Sequence, residues 1–112
     1  MSERQPLIAR TWGATATPEG ARWYQAHFRD EVVPHVEKIA GYRGAHLMQR
    51  ALDGGRVELR VISLWESLEA IRAFAGATPE VAVVKPAAQA QLATYDREVI
   101  HYEVDDFPAP RG

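Results

Sequence analysis

Apolar side chains change their spacing several times along this chain, and each change predicts a new element of secondary structure. Leu7–Ala16 contains β-branched and aromatic residues and no internal proline, which predicts a first strand entered after Pro6. Thr17, Pro18 and Glu19 then match the cap, the first position and the acidic first turn of a helix. The following apolar residues recur every three or four positions, as on one face of an amphipathic helix: Tyr24, Phe28, Val32, Val36 and Ile39.

One residue of this helix does not fit a regular α-helix. Pro34 has no backbone N–H and clashes with the preceding turn, so we expect a kink or a break between Asp30 and Val33. Gly41 supplies the positive φ with which a helix commonly ends. The first helix is therefore predicted to be irregular before Pro34 and to end before Gly41.

A β-hairpin is the next predicted element. Residues 45–52 and Val57–Trp65 are extended segments that flank an Asp-Gly-Gly-Arg turn. With the two glycines as the central residues of a two-residue turn, His46 would lie opposite Ser63. Side-chain alternation then places His46, Ser63 and Trp65 on the same face of the hairpin.

Two helical segments and a strand complete the pattern. Ser67 is a helix cap before a helical repeat that Gly76 ends. The sequence Thr-Pro-Glu at residues 78–80 repeats the cap arrangement of the first helix and predicts a short third helix, interrupted at Pro86. Residues 97–104 alternate like a strand. The predicted fold is α+β and ferredoxin-like, with βαββαβ order and a four-stranded antiparallel sheet.

The helices of such a fold cover one face of the sheet, yet this sheet is predicted to be apolar on its other face as well. Two sheets packed face to face would bury such residues, so we expect a homodimer. We expect one domain over residues 7–104, an N-terminal extension over residues 1–6, and a tail over residues 105–112 that is disordered or lies against a partner. The apolar residues assigned to the second face are Leu47, Ile62 and Leu64.

Composition narrows the class of protein. The chain has 112 residues, of which 46% are hydrophobic and 25% charged, as is usual for one globular domain. It has no cysteine, which excludes disulfides and thiolate metal sites, and it contains no signal-like or membrane-spanning apolar run. Its 13 basic and 15 acidic residues give no field that would hold nucleic acid. We expect a cytoplasmic protein with neither nucleic acid nor a membrane as partner.

Three stretches of the chain carry a family resemblance. They are residues 39–44, with a glycine-aromatic-x-glycine turn, residues 47–50, and residues 64–74, where Trp65 precedes a helix cap. In this order they resemble the antibiotic biosynthesis monooxygenase family of dimeric α/β barrels. The resemblance spans residues 7–104 and implies a β-barrel between two subunits, with a ligand cleft between the helices and the sheet of each protomer.

The same resemblance implies what the cleft would hold. Some members of the family oxidise aromatic polyketides with no metal or flavin, so we expect no cofactor and a small apolar or aromatic ligand. Members of the haem-degrading branch use an asparagine, a tryptophan and a histidine. The tryptophan corresponds to Trp65, whereas the other two positions fall near Thr11 and Lys85 and depart from that pattern.

Six residues are therefore candidates for a site. His46 and His101 are candidate bases, since a neutral imidazole accepts a proton near neutral pH. His27 and His35 lie two helical turns apart, too far to share a metal, so we predict no metal site. The candidate ligand-pocket residues are Trp65, Ser63, Thr11 and Lys85.

The tryptophan and the two candidate bases also have structural interpretations, and three functions remain open. Trp65 fits a core position beneath the second helix, and His101 fits a hydrogen-bonded pair with Glu103. The first function is a cofactor-independent monooxygenase of an electron-rich aromatic or quinol. The second is a non-catalytic dimer that holds a small apolar ligand. The third is haem binding and degradation.

Overall fold

The elements follow the predicted order, with additional short segments. The computed structural model describes residues 6–110. In chain order, one strand and the first helix precede the hairpin, and a further helix follows it. The elements are β1 Leu7–Ala16, α1 Pro18–His27, a π-helical turn Phe28–Val32, α2 Val33–Val36, β2 Tyr42–Ala51, a 3-10 turn Asp53–Gly55, β3 Val57–Trp65, α3 Leu68–Ala75, α4 Pro86–Gln89, β4 Thr94–Tyr95 and β5 Ile100–Val104.

All strands belong to one antiparallel sheet, in which β3 and the last strands flank β1. The order is β2-β3-β1, and β4 and β5 both pair with the free side of β1 at different heights. The two therefore take the place of one edge strand. The prediction of four strands with the last at residues 97–104 was wrong in this detail, because the strand is interrupted and resumes only at Ile100. The ferredoxin-like topology is confirmed.

The first helix is capped as predicted and accommodates its proline with a wider turn. The Thr17 hydroxyl accepts a hydrogen bond from the Gly20 N–H at 3.1 Å. Between α1 and α2, the Val33 N–H donates to the Phe28 carbonyl five residues earlier, which is the π-helical bond. Pro34 then lies in the first turn of α2, where a backbone donor is not required. The predicted irregularity before Pro34 is confirmed.

The hairpin turn contains three residues and not two. Asp53–Gly55 form the turn, Gly54 and Gly55 adopt φ of 80° and 81°, and the Leu52 N–H donates to the Arg56 carbonyl at 2.7 Å. These positive φ angles are readily available only to glycine. The added residue shifts the strand pairing by one position relative to the prediction.

The shifted register moves His46 to the other face of the sheet. His46 lies opposite Ile62, and Ser63 lies opposite Ala45. Because directly opposed residues share a face and neighbours along a strand alternate, His46 points away from Trp65. The prediction that these two side chains share a face was wrong. Leu47, paired with Val61, likewise lies on the face of Trp65 and not on the second face.

No helix forms directly after the second capping sequence, so that prediction was also wrong. Residues 78–85 are irregular, and helical structure begins only at Pro86. Val81 forms an isolated antiparallel bridge with Glu98, and the Ala82 N–H donates to the Arg97 carbonyl at 2.9 Å. Backbone groups that a helix would bond internally thus pair with Arg97 and Glu98, which lie between β4 and β5.

The helices cover one face of the sheet, which we call the inner face. Trp12 of β1 contacts Tyr24 of α1, and Trp65 of β3 contacts Phe74 of α3. The buried residues form two clusters there. One surrounds Trp12, Tyr24 and Leu59, and the other surrounds Trp65, Val36 and Ile71.

The opposite, outer face is uncovered. Met48, Ile100 and Tyr102 on it are 44%, 58% and 54% exposed. Residues 105–110 are exposed and have no regular secondary structure. Within residues 6–110, no helix combines the length and the apolar character that crossing a membrane requires.

Candidate functional site

A cleft lies between the two buried clusters. Its walls are the inner face of the sheet and the helix that contains the π-helical turn. The cleft encloses about 100 Å³. A cavity of ~150 Å³ is known to hold benzene, so a ligand with several rings would require side chains in the walls to move. Most of the lining is apolar, and six aromatic side chains contribute to it: Trp12, Tyr24, Phe28, Tyr42, Trp65 and Phe74.

Trp65 belongs to both the core and the cleft wall. Its side chain is fully buried and stacks on Phe74 at 5.9 Å between ring centroids. Tyr42 meets it edge-on at 5.4 Å. The indole N–H donates to the Ser63 hydroxyl at 2.9 Å, which fixes the orientation of the ring. The two interpretations of this tryptophan are therefore compatible.

Arg10 is the buried cation of the sheet wall. It is 5% exposed and lies 5.6 Å from the centroid of Phe74. Its guanidinium donates to the carbonyls of Pro79 and Val81, the latter at 3.1 Å, and its Nη1 lies 3.4 Å from His101 Nε2. Burial lowers the pKa of Arg10 to about 10, against an opposing effect of Glu80, so it stays protonated at neutral pH.

Tyr24 and His27 line the cleft from α1. Burial raises the pKa of Tyr24 to about 12, and no side-chain hydrogen bond joins its hydroxyl to another of residues 6–110. His27 stacks on Trp23 at 4.9 Å. Its pKa is lowered, first by burial and then by Lys85, while Glu31 opposes the shift. His27 is therefore neutral at pH 7, the state in which an imidazole accepts a proton.

Three further titratable groups lie around the same cleft. Glu31 comes from the π-helical turn, His35 from α2, and Lys85 from the position before α4. The His35 ring lies 6.2 Å from Phe74. The cleft thus combines aromatic walls with a rim of charged and basic side chains. Within residues 6–110 no three potential ligands cluster closely enough to hold a metal ion.

The sequence candidates separate into two groups. Trp65, Ser63 and Lys85 line the cleft, whereas Thr11 and His46 do not. Thr11 lies opposite Ile62 on the outer face and donates to the Ile100 carbonyl at 3.0 Å, so its assignment to the pocket was wrong.

The two candidate bases also occupy different places. His46 is exposed on the outer face, which is incompatible with a base in the cleft. His101 is on the inner face, directly opposite Arg10 in the sheet, and contacts that residue without lining the cleft. Its pKa is lowered by burial and then by Arg10, so the ring is a neutral acceptor.

Comparisons with known proteins find similarity in structure. No family model matches the chain, and no curated protein matches its sequence. Solved structures match over nearly its whole length. A candidate antibiotic biosynthesis monooxygenase from Bacillus cereus superposes with a TM-score of 0.67 at 19% identity, covering 94% of this chain and 99% of that one. This chain has an antibiotic biosynthesis monooxygenase-like fold.

Two other structures with this fold are named for different activities. A monooxygenase from Streptomyces coelicolor, solved with the ligand nanaomycin D, has a TM-score of 0.63 at 17% identity and covers 96% of this chain and 95% of its own. A heme-degrading protein from Mycobacterium tuberculosis has a TM-score of 0.54 at 18% identity, with 94% and 99% covered. At such identities the likeness establishes the antibiotic biosynthesis monooxygenase-like fold and not a shared reaction.

Sequence reasoning missed three residues of the cleft, although a signal for each is present. His27 and His35 each follow an apolar stripe residue, Tyr24 or Val32, by three positions, which places them at the edge of that stripe. Arg10 precedes Trp12 by two positions in β1 and therefore shares its face. In this antibiotic biosynthesis monooxygenase-like fold, that face is the one that bounds the cleft.

Proposed function

We propose that this protein is a cofactor-independent monooxygenase of a small, electron-rich aromatic compound, and that the cleft beside Trp65 is the reaction site. The observation that carries the proposal is the combination of an aromatic-lined cleft with a neutral imidazole, His27, on its wall. The S. coelicolor monooxygenase that shares the fold was solved with nanaomycin D, which supports a ligand of the same general kind.

The chemistry needs a base and a dry, oriented pocket. Removal of one proton from an anthrone-type methylene gives a carbanion that can reduce oxygen directly. Conversion of the methylene to a carbonyl releases four electrons, which reduce one O₂ so that one oxygen atom enters the product and the other leaves as water. The aromatic walls would orient the substrate and exclude water, and the imidazole would take the proton.

His27 is the residue we assign to proton removal. A catalytic base must reach the substrate, and His27 is a cleft histidine whose neutral, proton-accepting form is favoured by burial. His35 is a second imidazole at the same cleft, but it is exposed. His101 would act only through Arg10, because it contacts that residue and does not line the cleft.

We also propose that two copies of the chain pair through their outer sheet faces. Ile100, Tyr102 and Met48 form an exposed apolar surface on this side of the sheet. Ile62 and Leu64 alternate onto the same side and are half-buried. A homodimer that packs two such faces together would remove all five side chains from water.

A second candidate function is ligand binding without turnover. The small volume of the cleft favours it, because a polycyclic substrate would require the walls to open. Haem degradation is third. Lys85 occupies the cleft near the position of the expected histidine, and Thr11 lies on the opposite side of the sheet.

Oxygen uptake is the experiment that tests the proposal. Purified protein is mixed with a hydroquinone, a naphthohydroquinone and an anthrone, and uptake is measured against the rate without protein. We expect protein-dependent uptake with at least one of them, lost in His27→Gln and kept in the outer-face control His46→Gln. Thermal stabilisation by these compounds without any oxygen uptake would favour ligand binding without turnover. A shift of the Soret band on mixing with haemin would favour haem binding.

A further inference from the structure

We infer that Arg10 is an anion-binding residue of the cleft and holds the ionised oxygen of a hydroxyarene ligand. The inference deepens the proposed function, and it rests on that proposal only in taking the cleft as the ligand site. It concerns binding of an oxyanion, which is separable from reaction with oxygen. The class of ligand is an aromatic ring that carries an acidic hydroxyl group.

The guanidinium has donors to spare. An arginine side chain presents five N–H groups, and the contacts of Arg10 with Pro79, Val81 and His101 occupy at most three. Arg10 is 95% buried and lines the cleft, and no buried side-chain nitrogen or oxygen of residues 6–110 lacks a hydrogen-bond partner, so an unbonded donor of Arg10 faces the cleft and not the packed core. A polar atom of a ligand in the cleft would satisfy such a donor.

The cation also lacks a paired anion in its surroundings. The ion pairs among residues 6–110 do not include Arg10, and Glu80 is an exposed residue that acts on it without a direct contact. A buried charge without a partner is unfavourable, and an oxyanion in the cleft would supply the missing partner. A neutral aromatic ligand would leave the guanidinium without an anionic partner.

Tyr24 adds a second donor from the opposite wall. Tyr24 as a residue is 93% buried, it lines the cleft from α1, and its hydroxyl has no side-chain hydrogen bond to another of residues 6–110. A neutral phenol hydroxyl can donate to an anionic oxygen, which strengthens the bond relative to a neutral acceptor. The other titratable groups that face the cleft or Arg10 are His27, Glu31, His35, Tyr42, Lys85, His101 and Glu80.

A structural role for Arg10 predicts a different result. Its bonds to Pro79 and Val81 hold the irregular segment that continues to Lys85, part of which lines the cleft. If this were the whole role, loss of Arg10 would loosen that segment and weaken every ligand alike. An anion-binding role predicts that loss of Arg10 weakens ionised ligands more than neutral ones.

The test uses 4-nitrophenol, whose phenolate is coloured, and its methyl ether 4-nitroanisole, which cannot ionise, as the neutral counterpart. Affinities for the wild-type chain are measured by calorimetry, and the ionisation of bound nitrophenol is followed by absorbance. We expect the phenolate to bind at least about tenfold more tightly than the anisole, and the pKa of bound nitrophenol to fall below that of the free compound. Equal affinities, a raised pKa, or no binding of either compound would overturn the inference.

Two variants separate binding from folding. In Arg10→Met the preference for the phenolate should disappear, whereas Arg10→Lys should keep a reduced preference because the charge remains. An equal loss of affinity for both compounds in Arg10→Met would instead identify a structural anchor and refute the inference. If Arg10→Met does not fold, Arg10→Lys and the pKa of the bound phenol still decide. A failed oxygenase assay with intact phenolate preference would refute the proposed reaction alone.

Discussion

Both faces of the sheet carry apolar side chains, but their surroundings differ. On the inner face Trp12 and Leu59 are buried beneath helices, whereas on the outer face Ile100 and Tyr102 are more than half exposed. Consecutive residues of one strand therefore serve different purposes. In β1, Arg10 bounds the cleft and its neighbour Thr11 lies on the outside. The proposed reaction site lies on the covered face, and the proposed partner surface lies on the uncovered face.

Replacement of Trp65 should give the largest difference between the faces. Trp65→Ala removes a fully buried ring that contacts Phe74 and Tyr42, so we expect a loss of about 3–5 kcal/mol in the free energy of unfolding. Chemical denaturation measures it. The control Tyr102→Ala on the outer face, measured at low protein concentration, should cost less than about 1 kcal/mol. Similar losses in the two variants would contradict the distinction between the faces.

A histidine on each face gives the next largest contrast. We expect His27→Gln to lower oxygen uptake about 100-fold or more, since it removes the base of the proposed reaction. His46→Gln should leave uptake unchanged, because His46 is exposed on the face opposite the cleft. Initial rates with the best substrate of the panel measure both. An equal effect of the two substitutions would place the chemistry elsewhere.

The outer face should lose its partner when a charge is introduced there. Ile100→Glu places a carboxylate on the apolar surface, and we expect the dimer to dissociate at least about tenfold more readily. Analytical ultracentrifugation measures the dissociation constant. Leu68→Glu is the matched control, since Leu68 is 40% exposed at the start of α3. A wild-type chain that is monomeric at all concentrations would refute the pairing.

The smallest expected effect is on the pH dependence of stability. The pKa values of His27 and His101 are lowered by burial, so below 6.5 the unfolded chain takes up these protons more readily than the folded chain. Stability should therefore be fully present above pH 6.5 and decrease as the pH falls toward the folded-state values. Thermal unfolding between pH 8 and pH 5 measures this. The decrease should be smaller in His27→Gln and in His101→Gln than in the wild-type chain.

Local signals in the sequence were sufficient for most of the fold. The caps at Thr17 and Ser67 and the irregularity before Pro34 depend on groups within one turn of the chain, and the structure confirms all three. The capping pattern at residues 78–80 failed because a distant partner intervened. There Val81 pairs with Glu98 and the backbone bonds to the sheet edge, which no local rule anticipates.

The site was less predictable because it depends on register. A two-residue and a three-residue turn are both compatible with two consecutive glycines, and one residue of difference moves His46 across the sheet. Trp65 was predicted as a pocket residue because the sequence around it, a strand end followed by a helix cap, resembles a known family. Arg10 was overlooked, since an arginine in a strand is usually solvent-exposed and its burial depends on the segment from Pro79 to Val81.

The π-helical turn at Phe28–Val32 divides the helix layer into parts that can change independently. Tyr24, before the turn, is buried in one core cluster, and Val36, after it, is buried in the other, whereas the turn itself contains no buried residue. Its side chains nevertheless reach the cleft at Phe28, Glu31 and Val32. Phe28 packs against the first cluster, whereas Glu31 is exposed, so substitution of Glu31 would alter the ligand surface with little cost to either core. The π-helical turn that precedes Pro34 thus gives this small protein a place where ligand preference can evolve separately from stability.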